Sequence, residues 1–224
     1  MPRNARVDVG GEVYHVINRA NGRLRIFNKD EDYQLFEKLL LETKELIGMR
    51  ILAYELMSNH WHLVLYPKND GDLGAFMHRL SNAHTRKVHA RTNTNGSGHL
   101  YQGRYKSFLV DSENYLLAVI KYVERNAVRA KLVRRCEDWQ WGGAWRRVHG
   151  TTEQKKLLDR IPTSLPDDYT KWINASERPD NLDAIRISVN KSVPYGRAGW
   201  IEKMVLKHHL ESTLKSPGRP KKSR

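Results

Sequence analysis

The chain has 224 residues, of which 39% are hydrophobic and 29% charged, enough for one domain of ordinary size with a very polar surface. Its 39 Lys and Arg against 25 Asp and Glu give a net charge of +14, which favours a polyanionic partner, most simply nucleic acid. The single cysteine, Cys136, excludes an intrachain disulfide and a cysteine zinc cluster. No signal-peptide core and no apolar run approaching about 20 residues occurs, so we expect a cytoplasmic protein that does not span a membrane.

Hydrophobic periodicity and turn residues predict the secondary structure in chain order. Phe36, Leu39 and Leu40 follow helical spacing, and Gly48 is expected to end their helix. Runs rich in β-branched and aromatic residues, bounded by turn residues, indicate strands. The predicted elements are a strand at 13–18, a helix at 30–47, strands at 50–57 and 60–66, a helix at 72 to about 90, a mobile loop at 91–98, a strand at 105–110 and a helix from 111 or 112 to about 126.

The order β-α-β-β-α-β-α predicts an α+β fold, an RRM-like or ferredoxin-like split βαβ sheet with helices on one face. After Trp145 the sequence becomes proline-containing and loses periodicity. Residues 191–224 then hold nine Lys and Arg against two acidic residues, which is half of the net excess. We therefore predict a main domain at 1–148, a connector with short helices at 149–190, and a basic C-terminal DNA-binding extension at 191–224.

Two histidines in the third predicted strand are separated by a single residue. Side chains alternate along a strand, so His60 and His62 share one face and Trp61 points into a core on the other. Two neutral imidazoles on one face can hold a divalent ion, which can polarise a phosphoryl oxygen. The alternative is one surface histidine and one hydrogen-bonded packing histidine. Val64 stands where a third histidine would have indicated a nucleotide-hydrolysing triad.

The last predicted helix carries Tyr115, Tyr122 and Asn126 at spacings of seven and four, on roughly one face. A phenol can attack phosphorus if its proton is removed or a metal stabilises the developing charge. Asn126 could give a carbonyl oxygen to the same ion. The alternative is that both tyrosines pack in the core with their hydroxyls at its rim.

Basic and amide side chains cluster in residues 72–110, which hold six Lys and Arg and one Asp. Cations, amides and rings together suit phosphates and stacked single-stranded bases, although a solvated basic face is the alternative. The tail segment Gly218-Arg219-Pro220 is similar to an AT-hook that inserts Arg into a narrow minor groove, or else is a basic tail without selectivity. The candidate DNA contacts are Arg79, Asn82, Arg86, Lys87, Gln102, Arg104, Tyr105, Lys106, Arg129 and Arg219.

Three ordered segments resemble the REP-associated tyrosine transposases, bacterial relatives of the single-tyrosine insertion-sequence transposases within the HUH endonuclease group. They are residues 59–64 (Asn-His-Trp-His-Leu-Val), 98–106 (Gly-His-Leu-Tyr-Gln-Gly-Arg-Tyr-Lys) and 122–130 (Tyr-Val-Glu-Arg-Asn-Ala-Val-Arg-Ala). The resemblance extends from about 13 to 145. Compared with the usual family pattern, Ser58 and Ala127 each replace a proline and Lys131 replaces a glycine, and none of these changes removes a reactive group.

The resemblance implies a site and a reaction. His60 and His62 would bind Mg²⁺ or Mn²⁺, with Asn126 as an amide ligand. Tyr122 would form a 5′-phosphotyrosine and leave a free 3′-OH. The reaction implied is metal-dependent nicking and strand transfer at palindromic hairpins of single-stranded DNA. The resemblance further implies a bacterial cytoplasmic protein that joins the nucleoid with its DNA, and a monomer, with a homodimer as the alternative.

Three other functions stay open. The first is a non-catalytic or domesticated module that binds the same hairpins. The second is an RNA-binding protein with the same sheet plan, although the aromatic-rich RNA-binding strand is missing and the two histidines would be unexplained. The third is a replication initiator or plasmid relaxase of the HUH group, against which the segments 103–106 and 122–126 argue.

Overall fold

The fold is built on one four-stranded sheet. The computed structural model describes residues 6–94, 96 and 98–215. The strands are β1 (Val13–Arg19), β2 (Arg50–Met57), β3 (His60–Tyr66) and β4 (Lys106–Val110), paired antiparallel in the order β2-β3-β1-β4. Helix α1 (Asp30–Ile47) joins β1 to β2, and α2 (Asp72–Thr92) joins β3 to β4. This βαββαβ order confirms the predicted α+β class and split βαβ sheet.

Eight α-helices and one short 3₁₀ helix (Cys136–Asp138) follow β4 in the described residues. The predicted final helix begins later and ends earlier than expected, at Asn114 and Glu124, and α2 extends to Thr92, into the predicted loop at 91–98. Residues 95 and 97 of that loop lie outside the described residues. The helices are α3 (Asn114–Glu124), α4 (Asn126–Arg129), α5 (Gly143–His149), α6 (Thr152–Lys155), α7 (Tyr169–Asn174), α8 (Pro179–Lys191), α9 (Ala198–Lys207) and α10 (Glu211–Leu214).

Helix α1 shows how the sequence pattern produces the packing. Phe36, Leu39, Leu40 and Thr43 recur every three or four residues, and all four are buried against the sheet. Gly48 ends the helix in the left-handed region, with φ of 73°, where glycine carries no Cβ penalty. Both features agree with the prediction for 30–47.

Both faces of the sheet are covered. On the face that we call the α1/α2 face, strand residues such as Trp61 pack with Phe36 and Leu80. On the opposite face, called the α3 face, Val64 packs in a core with Val119 and other residues of α3 and α8. The predicted helices on one face are therefore only part of the arrangement. The strands are apolar on both sides, so the second face also requires a cover.

Residues 149–215 fold back on the sheet. Ile185 of α8 lies in the α3-face core, whereas Met204 of α9 lies in the core of the α1/α2 face. Tyr195 bonds to the edge of β4, because its N–H donates to Leu109 O at 2.8 Å and its carbonyl accepts from Asp111 N at 2.9 Å. This contact covers part of an otherwise open strand edge. The three-domain division stays a prediction.

Among the helices of the described ranges, none is long and apolar enough to cross a bilayer.

Candidate active site

His60 and His62 lie on the α3 face with their ring centroids 5.2 Å apart, which confirms that the two rings share a face. His60 Nδ1 lies 2.6 Å from Asn59 Oδ1. An amide oxygen only accepts hydrogen bonds, so Nδ1 of His60 donates and its Nε2 keeps a lone pair. Asn59 holds this orientation by donating from its amide nitrogen to Arg23 O at 3.4 Å.

His62 bonds to a third histidine on the neighbouring strand. Its Nδ1 lies 2.8 Å from Nε2 of His15, and both rings are buried. Burial lowers the pKa of His15 to about 3 and, with Arg19, that of His60 to about 4. Burial also holds the pKa of His62 well below its usual value. All three imidazoles are therefore neutral at physiological pH, which is the form that ligates metals.

Tyr122 projects from α3 toward these histidines. Its ring centroid lies 5.9 Å from that of His62 and 6.1 Å from that of His15. The residue is 9% exposed, and its hydroxyl has no hydrogen-bond partner among the described residues. Burial raises the pKa of the phenol, and the positive charge of Arg129 acts in the opposite direction. The hydroxyl is therefore protonated at neutral pH and free to meet a ligand.

Arg129 contacts both the ring and the backbone carbonyl of Tyr122. Its guanidinium lies 4.3 Å from the centroid of the Tyr122 ring and donates to Tyr122 O at 2.5 Å. It also pairs with Glu177, which in turn bonds Arg125 Nε at 2.6 Å. The guanidinium of Arg129, which the sequence suggested as a DNA contact, is therefore already engaged within the protein. The same ion pairs connect the segment after α7 to the helix that carries Tyr122.

Asn126 begins α4, directly after the break between α3 and α4 at Arg125. Its amide nitrogen is buried and has no partner among the described residues. The next residue, Ala127, donates its N–H to Glu55 Oε1 at 3.2 Å. Glu55 is the cross-strand partner of His62, so this bond anchors the start of α4 beside the histidine. A buried amide without a partner indicates an interaction that the protein chain alone does not satisfy.

These donors fit a divalent ion of the kind predicted. Within 6–94, 96 and 98–215, no three His, Cys, Asp or Glu residues are grouped as a metal site. The available set is Nε2 of His60, Nε2 of His62 and the amide of Asn126, whose oxygen and nitrogen exchange by a half-turn of the side chain. Mn²⁺ accepts imidazole nitrogen more readily than Mg²⁺ does, and Zn²⁺ would bind such a set tightly. Three donors leave positions open for phosphate oxygen or water.

Two grooves bring together part of the predicted DNA-binding set. One of about 540 Å³ is lined by Asn82, Arg104 and Tyr105. The other, of about 290 Å³, is lined by Gln102, Arg104 and Lys106 together with Arg19. The remaining predicted residues of α2 are exposed but line neither groove; they are Arg79, Arg86 and Lys87. Arg219 and the AT-hook-like segment lie outside the described residues.

Three residues on the α3 face near the histidine pair were not predicted from the sequence as site residues. His15 sits in an apolar strand with no histidine at motif spacing, and only the β1–β3 register brings it to His62. Arg19 is the cross-strand partner of His60 and lowers the pKa of that histidine. Glu55 is a carboxyl within an apolar strand, which was a usable signal, because buried charged residues need a specific partner.

The chain is similar in sequence profile and in fold to known transposases. Residues 9–126 match the sequence profile of a family described as "Transposase IS200 like". One similar solved structure is a REP-associated tyrosine transposase bound to a REP hairpin, with a TM-score of 0.56 and 18% identity over 76% of this chain and 94% of the other. Another is a candidate transposase from Deinococcus radiodurans R1, with a TM-score of 0.40 and 22% identity over 55% of this chain and 97% of the other. Among curated proteins, none matches significantly.

Proposed function

Because the chain belongs to the IS200-like transposase family, whose members process DNA, we propose that it cuts and rejoins single-stranded DNA at hairpin-forming palindromic repeats. The observation that carries the proposal is the position of the Tyr122 ring, 5.9 Å from His62 within the same chain. Both histidines form their hydrogen bonds through Nδ1, and Nε2 of His60 and of His62 has no hydrogen-bond partner among the described residues. The hairpin bound by the similar REP-associated transposase supports the choice of DNA.

The nucleophile in this mechanism is the Tyr122 hydroxyl. Its oxygen attacks the scissile phosphorus and forms a phosphotyrosine, while the bond from phosphorus to the 3′ oxygen breaks. The phenolic proton passes to water, and the leaving 3′ oxygen takes a proton to become a free 3′-OH. In the rejoining step, a 3′-OH attacks the phosphotyrosine and releases the phenol. No external energy source is needed, because one phosphoester is exchanged for another.

The protein side chains position and polarise the reacting groups. Bound Mg²⁺ or Mn²⁺, held by His60, His62 and Asn126, would polarise a non-bridging oxygen of the scissile phosphate. Arg129 fixes the tyrosine through its ring and carbonyl. Arg19, beside His60, adds positive charge where the phosphate must lie.

Binding of the DNA is assigned to the two grooves beside β4. Arg104 lines both, and the cations and the Tyr105 ring around it suit a backbone with unpaired bases. The Tyr122 ring lies 5.9 Å from His62 of its own chain, so this pair needs no second copy to complete it, which supports a monomer as the active unit. Binding of RNA across the sheet is disfavoured, because RRM-type recognition uses an open sheet face and here α3 and α8 cover it.

The test uses hairpin DNA from the palindromic repeats that flank the gene, labelled at either end and incubated with the protein and Mn²⁺. We expect a denaturant-stable protein adduct that carries the 3′-labelled fragment, and a released 5′-labelled fragment that a polymerase can extend. Tyr122→Phe should lose the adduct. Tyr115→Phe, a change on the same helix, is the matched control and should retain it.

Other outcomes distinguish the alternatives. Tight binding of the hairpin without an adduct in Mg²⁺ or Mn²⁺ would contradict the reaction and favour a non-catalytic binding module. An adduct that persists in Tyr122→Phe would contradict the choice of nucleophile. Equal binding to a hairpin of scrambled sequence and to an unstructured strand would contradict the palindromic target.

A further inference from the structure

The side chain of His15 makes one hydrogen bond among the described residues, and its partner is His62. The residue is fully buried in β1, and its Nε2 lies 2.8 Å from Nδ1 of His62. Its other ring nitrogen, Nδ1, is buried and has no partner among the described residues. Phe108 packs against the His15 ring, with the two ring centroids 4.8 Å apart. The ring is therefore oriented for this single contact.

The proton in that contact decides whether His62 can act as a ligand. If His15 donated from Nε2, then neutral His62 would carry its own proton on Nε2 and that atom could not bind a metal. If His62 donates from Nδ1 instead, its Nε2 keeps a lone pair. Ligation by His62 therefore requires His15 to be the acceptor.

His60, the other proposed metal ligand, is also anchored through its Nδ1 atom. Nδ1 of His60 donates to Asn59 Oδ1 at 2.6 Å, which leaves Nε2 of that ring free. Each ring is thus anchored at Nδ1 by a separate acceptor, one an amide oxygen and the other an imidazole nitrogen. Metal-bound histidines commonly donate their other N–H to such a partner, which fixes the tautomer and the ring orientation.

We propose that His15 is a positioning residue that accepts the Nδ1 proton of His62 and so holds His62 in the tautomer and orientation that bind the ion. This inference rests on the proposed function, because it assigns a role at the same site. A neutral imidazole acceptor adds no negative charge, whereas a carboxylate in that place would repel the incoming phosphodiester. His15 touches neither DNA nor the ion and acts through His62.

The experiment compares Mn²⁺ affinity in three variants, measured by electron paramagnetic resonance of free Mn²⁺. His15→Leu removes the acceptor and is expected to weaken Mn²⁺ binding about 10- to 100-fold. His15→Gln places an amide oxygen near the position of Nε2 and is expected to recover most of the affinity. His84→Leu removes an equally buried histidine that bonds to Tyr101 on the other face, so its affinity should match the wild type.

A spectroscopic measurement on the wild type keeps the test valid if a variant fails to fold. Nitrogen-15 NMR of the Zn²⁺-loaded protein, chosen because Zn²⁺ is diamagnetic and binds imidazole tightly, should show Nδ1 of His62 protonated and Nε2 of His15 unprotonated. The reverse protonation would overturn the proposal.

The affinity results separate this proposal from the proposed function. Equal affinity in His15→Leu and wild type would overturn the positioning role and leave the nicking reaction untouched. Equal weakening by Leu and Gln would also overturn it, because packing rather than the acceptor would then be responsible. A wild-type protein that forms the DNA adduct but binds no metal would overturn the metal dependence and the role of His15 together.

Discussion

His84 and His15 are both fully buried, yet they lie on opposite faces of the sheet and have different partners. On the α1/α2 face, the Tyr101 hydroxyl accepts from Trp61 Nε1 at 3.0 Å and lies 2.7 Å from Nδ1 of His84. That chain of bonds fastens the segment before β4 to the core. On the α3 face, His15 instead bonds to His62 and leaves the outer nitrogen of His62 unused.

The two faces differ in the same way beyond these two histidines. The core of the α1/α2 face is predominantly apolar and aromatic. Buried side-chain atoms without a partner among the described residues occur on both faces: one belongs to His84 on the α1/α2 face, and three belong to Glu55, Asn126 and His15 on the α3 face. Unsatisfied buried polar groups are rare in native proteins and call for a reason. The larger number of such atoms on the α3 face supports the ligand site proposed there.

The largest expected contrast comes from adjacent residues in β3. Trp61→Ala, on the α1/α2 face, should lower the free energy of unfolding by about 3–5 kcal/mol, because it removes a large, fully buried ring. His60→Ala, on the α3 face, should abolish the DNA adduct and change stability by less than about 1 kcal/mol, since the ring is partly exposed. Urea unfolding and the adduct assay measure the two effects. Similar destabilisation by both changes would break the comparison between the faces.

The ion pairs behind Tyr122 provide the next test. Glu177 pairs with both Arg125 and Arg129, and all three side chains are mostly buried. Glu177→Gln should destabilise the protein by about 3 kcal/mol, because it leaves two poorly solvated guanidinium groups without their carboxylate. Glu153→Gln is the matched control, because its pair with Lys156 is exposed and should contribute almost nothing. Equal unfolding midpoints in urea for both variants would contradict this assignment.

A pH profile tests the buried carboxyl of Glu55 on the α3 face, whose Oε2 has no partner among the described residues. Burial raises the pKa of Glu55 well above its usual value, so the folded protein favours the protonated form. Stability from this group is therefore present at low pH and is lost as pH rises above the unfolded value of about 4.5. Glu55→Gln mimics the protonated carboxyl and should be more stable than wild type at pH 8, with the difference vanishing near pH 4. Thermal unfolding at both pH values checks this, and a constant difference would refute it.

The smallest expected effect concerns the grooves. Arg104→Ala should weaken hairpin binding and reduce the slope of log affinity against log salt by about one, because one phosphate contact is lost. Glu153→Ala serves as the control, because Glu153 is exposed and lies far from Arg104 in the sequence. Fluorescence anisotropy at several salt concentrations measures both quantities. An unchanged slope and affinity would remove Arg104 from the DNA-binding set.

The sequence predicted the local features of the site better than its long-range contacts. Alternation along β3 placed His60 and His62 on one face, because strand periodicity depends only on neighbouring residues. The register between β1 and β3 depends on the whole sheet, so His15 could not be assigned to the site. The cover formed by α8 was also missed, since residues 149–190 lack clear periodicity and their burial arises only when they pack on the sheet.

Arg129 illustrates a second limit of the sequence. The assignment of Arg129 as a DNA contact stays a prediction, whereas its ion pair with Glu177, 48 residues away in the chain, could not be predicted from the sequence. Only the packed structure brings the two together. Charge composition therefore favoured nucleic acid as the ligand, while the contacts of an individual cation depended on residues distant in sequence.

The most direct test of the central claim is to identify the residue that becomes linked to DNA. The adduct formed with Mn²⁺ would be digested with nuclease and trypsin and analysed by mass spectrometry. The account predicts a 5′-linked nucleotide on the peptide 122–125, whose tyrosine is Tyr122. A nucleotide on the peptide 107–121, which carries Tyr115, or on 105–106, which carries Tyr105, would contradict it.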